Sequence, residues 1–228
     1  MSETASVPAG KKVAAKARTG TRQRNEANPE KILDAAMSLM AEHGYAGTSM
    51  SMICRLSGYP VTSIYWHFGS KEQLLTAALE HSALQAIDTN LDRKNNKLEG
   101  EDPVESLVQF DAEFLQNPPP FLRLIFLIGL ERRSSGPEVM QAIARIRLRA
   151  RAILTEQIIH VIRPDGQILP RDIAEELAHF WMAMGDGMFA SSQLEPGQLD
   201  LLKCCRQQVI AVQALAENYL KERMSQTR

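Results

Sequence analysis

Apolar residues along this chain recur at three- and four-residue intervals, the period of amphipathic helices, and nowhere alternate as strands do. Ile32, Leu33, Ala36, Leu39 and Met40 share one helical face. Asn28 can cap that helix, Pro29 suits its first position, and His43-Gly44 closes it. Met52, Ile53 and Leu56 give a second, short helix an apolar face. Thr48 or Ser49 can cap it, because a hydroxyl accepts a bond from an N–H of the first turn. Gly58 can then take the left-handed conformation past the helix end. Pro60 turns Tyr59 away from the helical region and presets its own φ for a new start. Val61-Thr62-Ser63 is small and mostly polar, Ile64 can anchor inward, and Tyr65-Trp66-His67-Phe68 follows. Ser70-Lys71-Glu72-Gln73 is a capping box that opens the next helix.

Beyond that point the pattern predicts longer helices divided by proline, glycine and serine. One runs from Ser70 to about Asn96, with a polar loop to Asp102. Pro103 to Gln116 is the next, and Pro118-Pro119-Pro120 breaks it from an apolar helix, Phe121 to Glu131. After Ser134-Ser135-Gly136-Pro137, a long helix spans Glu138 to about Arg163. Pro164-Asp165-Gly166 is a turn, Pro170 opens a helix that ends near Leu194, and Leu199 to about Arg223 is the last. The fold class is all-α, with about nine helices and no internal repeat.

Composition narrows the classes. At 228 residues with 44% hydrophobic content the chain can bury a core without disulfides. Cys54, Cys204 and Cys205 have no metal-ligand or redox spacing and suit a reducing cytosol. No apolar run has the length of a membrane span, and no signal-peptide core is visible. The net charge of −1 hides an asymmetry. Residues 1–27 carry six basic side chains (Lys11, Lys12, Lys16, Arg18, Arg22, Arg24) against Glu3 and Glu26, or +4, which leaves −5 on the rest. So apolar-poor an arm reads as disordered when free, and its charge favours one local nucleic-acid contact zone. It can also be read as a solubilising tail. No metal spacing, phosphate loop or nucleophile elbow is present, so the chain is read as no enzyme and no cofactor is called for. His43, His81, His160 and His179 are scattered, and Arg145, Arg147, Arg149 and Arg151 read as a solvated surface.

The order helix, tight turn, short helix with a polar start is what a helix-turn-helix needs to enter a major groove. The segment resembles the DNA-binding domain of tetracycline-repressor (TetR) family regulators. The matching residues are Ile32-Leu33, Ala35-Ala36, Gly44, Thr48-Ser49, Ile53, Gly58, Tyr65, His67-Phe68, Ser70-Lys71-Glu72 and Leu74. Pro60 departs from the pattern, where a small polar cap is usual. Read from the residues, Val61, Thr62 and Ser63 face base edges, and Tyr65, His67 and Lys71 can reach phosphate oxygens. The resemblance makes Tyr65 and Lys71 phosphate contacts and has Thr48 and Ser49 touch the DNA backbone. Trp66 is either a lever between two domains or a contact to a base-pair edge. The aromatic run has a second reading, a cluster that only closes a small core.

The resemblance also implies a three-helix head, residues 28–75, joined to a larger helical effector-binding and dimerisation domain, residues 76–228. Phe110, Phe114, Phe126, Trp181, Met184 and Met188 are the candidate effector-binding residues, with Met182 and Phe189 of the same character. Large apolar and Met side chains between helices suit a hydrophobic small molecule, although plain core packing would use the same residues. Ala183, Gly185, Gly187, Ala190, Ser191 and Ser192 keep one helix slim, and Leu201, Leu202, Cys205, Val209, Val212 and Leu215 line the last. Together they suggest an isologous four-helix dimer interface. The expected function is a cytoplasmic, nucleoid-associated regulator, a repressor that binds a palindromic operator as a homodimer and is released by an effector. The rival reading is a helical binding or scaffold protein without a DNA role.

Overall fold

A computed structural model describes residues 28–95, 102–131 and 136–226. Among the described residues there are nine α-helices and no strand. They are α1 (Pro29–Gly47), α2 (Met50–Ser57), α3 (Val61–Phe68), α4 (Lys71–Asn95), α5 (Pro103–Gln116), α6 (Pro120–Glu131), α7 (Pro137–Val161), α8 (Arg171–Leu194) and α9 (Leu201–Gln226). A single 3₁₀ turn, Pro164–Gly166, links α7 to α8. The basic arm read in residues 1–27, and most of the loop read between α4 and α5, fall outside the described residues.

Local chemistry sets the element ends. The Asn28 side chain accepts from the Glu30 N–H at 2.9 Å, and that of Asp102 accepts from the Val104 N–H at 2.9 Å. Gly44 lies at φ 72°, ψ 167°, and interrupts the helical path of α1 where the His43-Gly44 stop was expected. An L side chain there would be strained, because positive φ brings Cβ against the carbonyl.

Two buried clusters hold the molecule. The first joins Ile32, Ala36 and Met40 of α1, Ile53 of α2, Ile64 of α3 and Leu74, Leu75 and Leu79 of α4 to Leu124 and Ile128 of α6 and Ile143 and Ile146 of α7. The head therefore shares its core with the body through α4, α6 and α7. The second cluster packs α5, the end of α7, α8 and α9, with Leu107, Leu115, Ile158, Leu177, Trp181, Phe189, Cys205, Val209 and Val212 at its centre. At about 25 cal/mol per Å² of apolar area, these clusters supply the main drive for folding.

The last helix needs a correction. Leu201, Cys205, Val209 and Val212 are buried within the subunit, in the seam that α9 makes with α5 and α8, and cannot face a second copy. The apolar period of α9 marks a buried face, and the partner of that face is the same chain.

Candidate nucleic-acid interface and ligand cavity

α2 and α3 are held at their crossing by a few local bonds. Ser49 is the cap of α2, with Oγ accepting from the Met52 N–H at 3.3 Å. Gly58 adopts φ 77°, ψ 10°, and its N–H donates to Cys54 O at 3.0 Å, closing α2 with a left-handed cap. Pro60 stands where α3 begins and offers no side-chain cap, so its carbonyl alone takes the Ser63 and Ile64 N–H groups, at 3.0 and 3.3 Å. Gly69 at φ 73° ends α3, and Ser70 Oγ accepts from the Gln73 N–H at 3.0 Å at the start of α4.

Ile64 is fully buried and pins α3 from behind. Val61, Thr62, Tyr65, Trp66 and His67 are exposed on its other faces, and Ser63 is half-buried. Trp66 is 81% exposed, and the His67 ring stands edge to face with it at 4.8 Å. That exposure rules out the lever between domains and leaves Trp66 on the outer surface of the motif. A large aromatic left in water beside small polar side chains is the kind of exposed apolar group that marks a contact site.

Two expected contacts look different in place. Thr48 is 1% exposed, and its hydroxyl donates to Gly44 O at 2.9 Å. It closes the turn between α1 and α2 and cannot touch a DNA backbone, which corrects that assignment. Lys71 Nζ donates to Tyr45 O at 2.6 Å and lies 4.3 Å from the centre of the Tyr45 ring. Burial lowers the Lys71 pKa, and burial, followed by the nearby Glu72, raises that of Tyr45. The ammonium thus ties the end of α1 to the start of α4, with protons left for one outward bond.

A cavity of about 220 Å³ lies in the body, between α4, α5, α6, α7, α8 and α9. Of the expected ligand residues, Phe110, Phe114, Trp181 and Met188 line it. Phe126 and Met184 do not, and both assignments are corrected. Phe126 packs on the Phe189 ring at 4.8 Å, and Met184 is turned away on α8, where Met182, Gly185 and Phe189 face the space instead. Met182 and Met184 are two residues apart, about 200° around the helix, so one faces the cavity when the other faces aside.

Sequence reasoning missed the polar members of the wall. Asp111 accepts from Trp181 Nε1–H at 2.8 Å, and burial pushes its carboxyl pKa up to about 7 against the lowering effect of that bond. Arg147 donates to both Asp186 oxygens, at 3.2 and 2.7 Å, so it lines the cavity and is not the solvated surface expected of it. Arg145 does lie outside, paired with Glu80 at 2.6 Å. Gln208 is 1% exposed and donates to Trp181 O at 2.8 Å. A signal existed. Asp111 is in phase with Leu107 and Leu115, and Gln208 with Leu201, Cys205 and Val212, so each is a polar residue on a buried stripe. Among the described residues no group of three His, Cys, Asp or Glu could hold a metal, and no helix is long and apolar enough to cross a membrane.

Comparison with known proteins fits this geometry. Residues 32–78 match the bacterial regulatory proteins of the tetR family. The chain is 27% identical over 109 residues to the HTH-type transcriptional repressor NicS of Pseudomonas putida, 47% of this chain and 51% of that protein. It is 49% identical over 51 residues to the HTH-type transcriptional regulator LmrA of Bacillus subtilis, 22% of this chain and 27% of that one. The chain thus spans about half or less of the length of these curated relatives. A TetR transcriptional regulator from Legionella pneumophila superposes with a TM-score of 0.64 at 19% identity, over 82% of this chain and 98% of that one. The likeness to the tetR family is thus one of sequence over the head, residues 32–78, and one of fold over most of the described chain.

Proposed function

We propose that this chain is a ligand-responsive DNA-binding transcriptional regulator and not an enzyme, a repressor that holds a palindromic operator as a homodimer in the cytoplasm. The observation that carries the reading is the surface of α3, where Val61, Thr62, Tyr65, Trp66 and His67 are exposed together over a fully buried Ile64. Such a surface offers hydroxyls and a methyl to base edges, with donors for phosphates beside them. A gel shift with the intergenic DNA flanking the gene tests it. A retarded band competed only by the same fragment is expected, and no specific band would leave a helical binding protein without a DNA role.

Val61, Thr62 and Ser63 are the residues of sequence choice in this reading. Substituting them should change the preferred operator bases, with about 1–3 kcal/mol lost per good contact removed. Selection from a randomised operator pool measures this, and unchanged preferences would refute the assignment. Ser49, Tyr65, His67 and Lys71 are the positioning contacts, and Trp66 is a contact to a base-pair edge. Tyr65→Phe should weaken binding to all sequences alike without altering stability. Lys71→Ala should weaken binding and also destabilise the head by about 1 kcal/mol, since Tyr45 O loses its donor. Urea unfolding beside operator titration separates the two effects, and equal stability of Lys71→Ala and wild type would show that the Tyr45 link is weak.

The outward surface of α8 supports the dimer. Phe180, Ala183, Gly187, Ser191 and Leu194 form one exposed stripe, and Leu194 is 82% exposed. A Cβ added at Gly187 meets no atom within 4 Å in the subunit, so intrachain packing does not require the glycine there. On α9, Ile210 is 64% exposed.

The effector reading rests on the cavity and on α4. That helix puts Leu74 and Leu75 into the head core and Ala83, Ala86 and Ile87 into the cavity wall. A small ligand that fits one placement of α4 better than another therefore shifts the spacing of the heads, by no more than its differential affinity allows.

A further inference from the structure

The cavity wall is apolar apart from Asp111, Arg147, Gln157, Asp186 and Gln208, and its polar groups do not balance. Gln208 Nε2 donates to Trp181 O, an acceptor with no proton, so the amide nitrogen must take that side. Gln208 Oε1 is then enclosed with no hydrogen-bond partner. Asp111, on the other side of Trp181, accepts from the indole N–H, and a carboxylate has room for several donors. Arg147 spends two of its five N–H groups on Asp186. No donor of the wall reaches Gln208 Oε1.

Resting on the reading of this cavity as the effector site, we propose that the effector is an amine with an apolar body, its ammonium N–H groups bonding Asp111 and Gln208 and its body lying among Phe110, Phe114, Met182 and Met188. An ammonium supplies both missing items, donors for Gln208 Oε1 and a positive charge beside a carboxylate that burial disfavours. A carboxylate ligand fares worse. Beside Asp111 and Gln208 Oε1 it would face two acceptors with no proton to give to either. Size agrees, since a dry cavity of about 150 Å³ holds a benzene ring and this one has room for a ring with a short chain.

Acid should compete with the ligand. The other titratable groups of the cavity wall are Arg147 of α7 and Asp186 of α8, bonded to each other, and Asp111 also acts on the Cys205 thiol of α9. The Cys205 thiol is pushed up to about 12 by burial, then by Asp111 and Cys204, and stays neutral. Asp111 itself titrates at about 7, so amine affinity should fall about tenfold per pH unit below that value.

Three probes of one shape decide the matter by calorimetry at pH 8: phenylbutylamine, phenylbutanol and phenylbutyrate. The amine should bind about tenfold or more tightly than the alcohol, and the acid most weakly. Asp111→Asn should cost the amine about tenfold or more and leave the alcohol within about twofold, which also shows that the variant is folded. Gln208→Met should cost the amine several-fold. Acid binding as tight as amine binding, an unchanged amine affinity in Asp111→Asn, or no binding of any probe at millimolar concentration would overturn the proposal. A gel shift separates it from the reading beneath it. Release of operator by phenylbutyrate would sink the amine and keep the cavity as effector site, whereas tight amine binding that never alters operator binding would keep the amine site and sink its role as an effector site.

Discussion

Replacing Gly187 by arginine is expected to turn dimers into monomers and to lower operator affinity by about 10²–10⁴-fold, the range lost when two linked contacts become one. The cause is steric. Gly187 lies in the middle of the exposed stripe from Phe180 to Leu194, where two copies of α8 can approach only if side chains stay short. Within the subunit the arginine meets nothing, since even a Cβ there has open space, so the fold should survive. A helical glycine costs about 1 kcal/mol relative to alanine, and no contact inside this subunit explains tolerating it. A recognition helix reads one half-site, and tight binding needs two of them on one face of the duplex, about 34 Å or a multiple apart. Leu148→Arg, on an exposed position of α7, is the matched control. Sedimentation and operator titration test both halves, and a soluble monomer that binds full operator as tightly as wild type would dispose of the two-headed mechanism.

The second large effect is on stability against pH. The Asp111 carboxyl titrates at about 7 in the folded chain, against about 4 when unfolded. Between those values the folded state holds a proton that the unfolded state has released. Stability should therefore decline as pH rises from about 4 to about 7, and the penalty is complete above 7. Asp111→Asn removes the titration, so at pH 8 the variant should be more stable than wild type by about 2–4 kcal/mol, and near pH 4 the gap should close. Urea unfolding at pH 5 and pH 8, at fixed protein concentration, measures this. Parallel curves for the two proteins would mean that the carboxyl is hydrated. The penalty has a use in the proposed site, since a cation placed beside Asp111 relieves it on binding.

Local features were legible in the sequence, and long-range ones were not. Gly58, Pro60 and Ile64 fix the turn and the burial of α3 within a few residues, so the motif and its exposed surface could be read directly. Gly44, Asn28 and Asp102 mark helix ends by backbone chemistry that needs no tertiary partner. Thr48 looked like a surface hydroxyl because its bond to Gly44 O depends on how the chain turns after α1. The period of Leu201, Cys205, Val209 and Val212 showed that a face is buried without showing against what. Arg147 carries no local trace of Asp186, 39 residues away. Asp111 and Gln208 are single polar residues on apolar stripes, and their partner Trp181 is distant in sequence from both.

Phe121, Ile125 and Ile146 belong both to the core that steadies the head and to the wall of the cavity. Anyone who re-engineers this protein as a sensor inherits that overlap. Libraries that vary these three positions will alter the unliganded response along with ligand choice, and a change in one cannot be credited without a measurement of the other. Phe110 on α5 and Met182 on α8 touch the cavity but lie outside that core, and they are the positions from which a new specificity can be built while the readout stays calibrated.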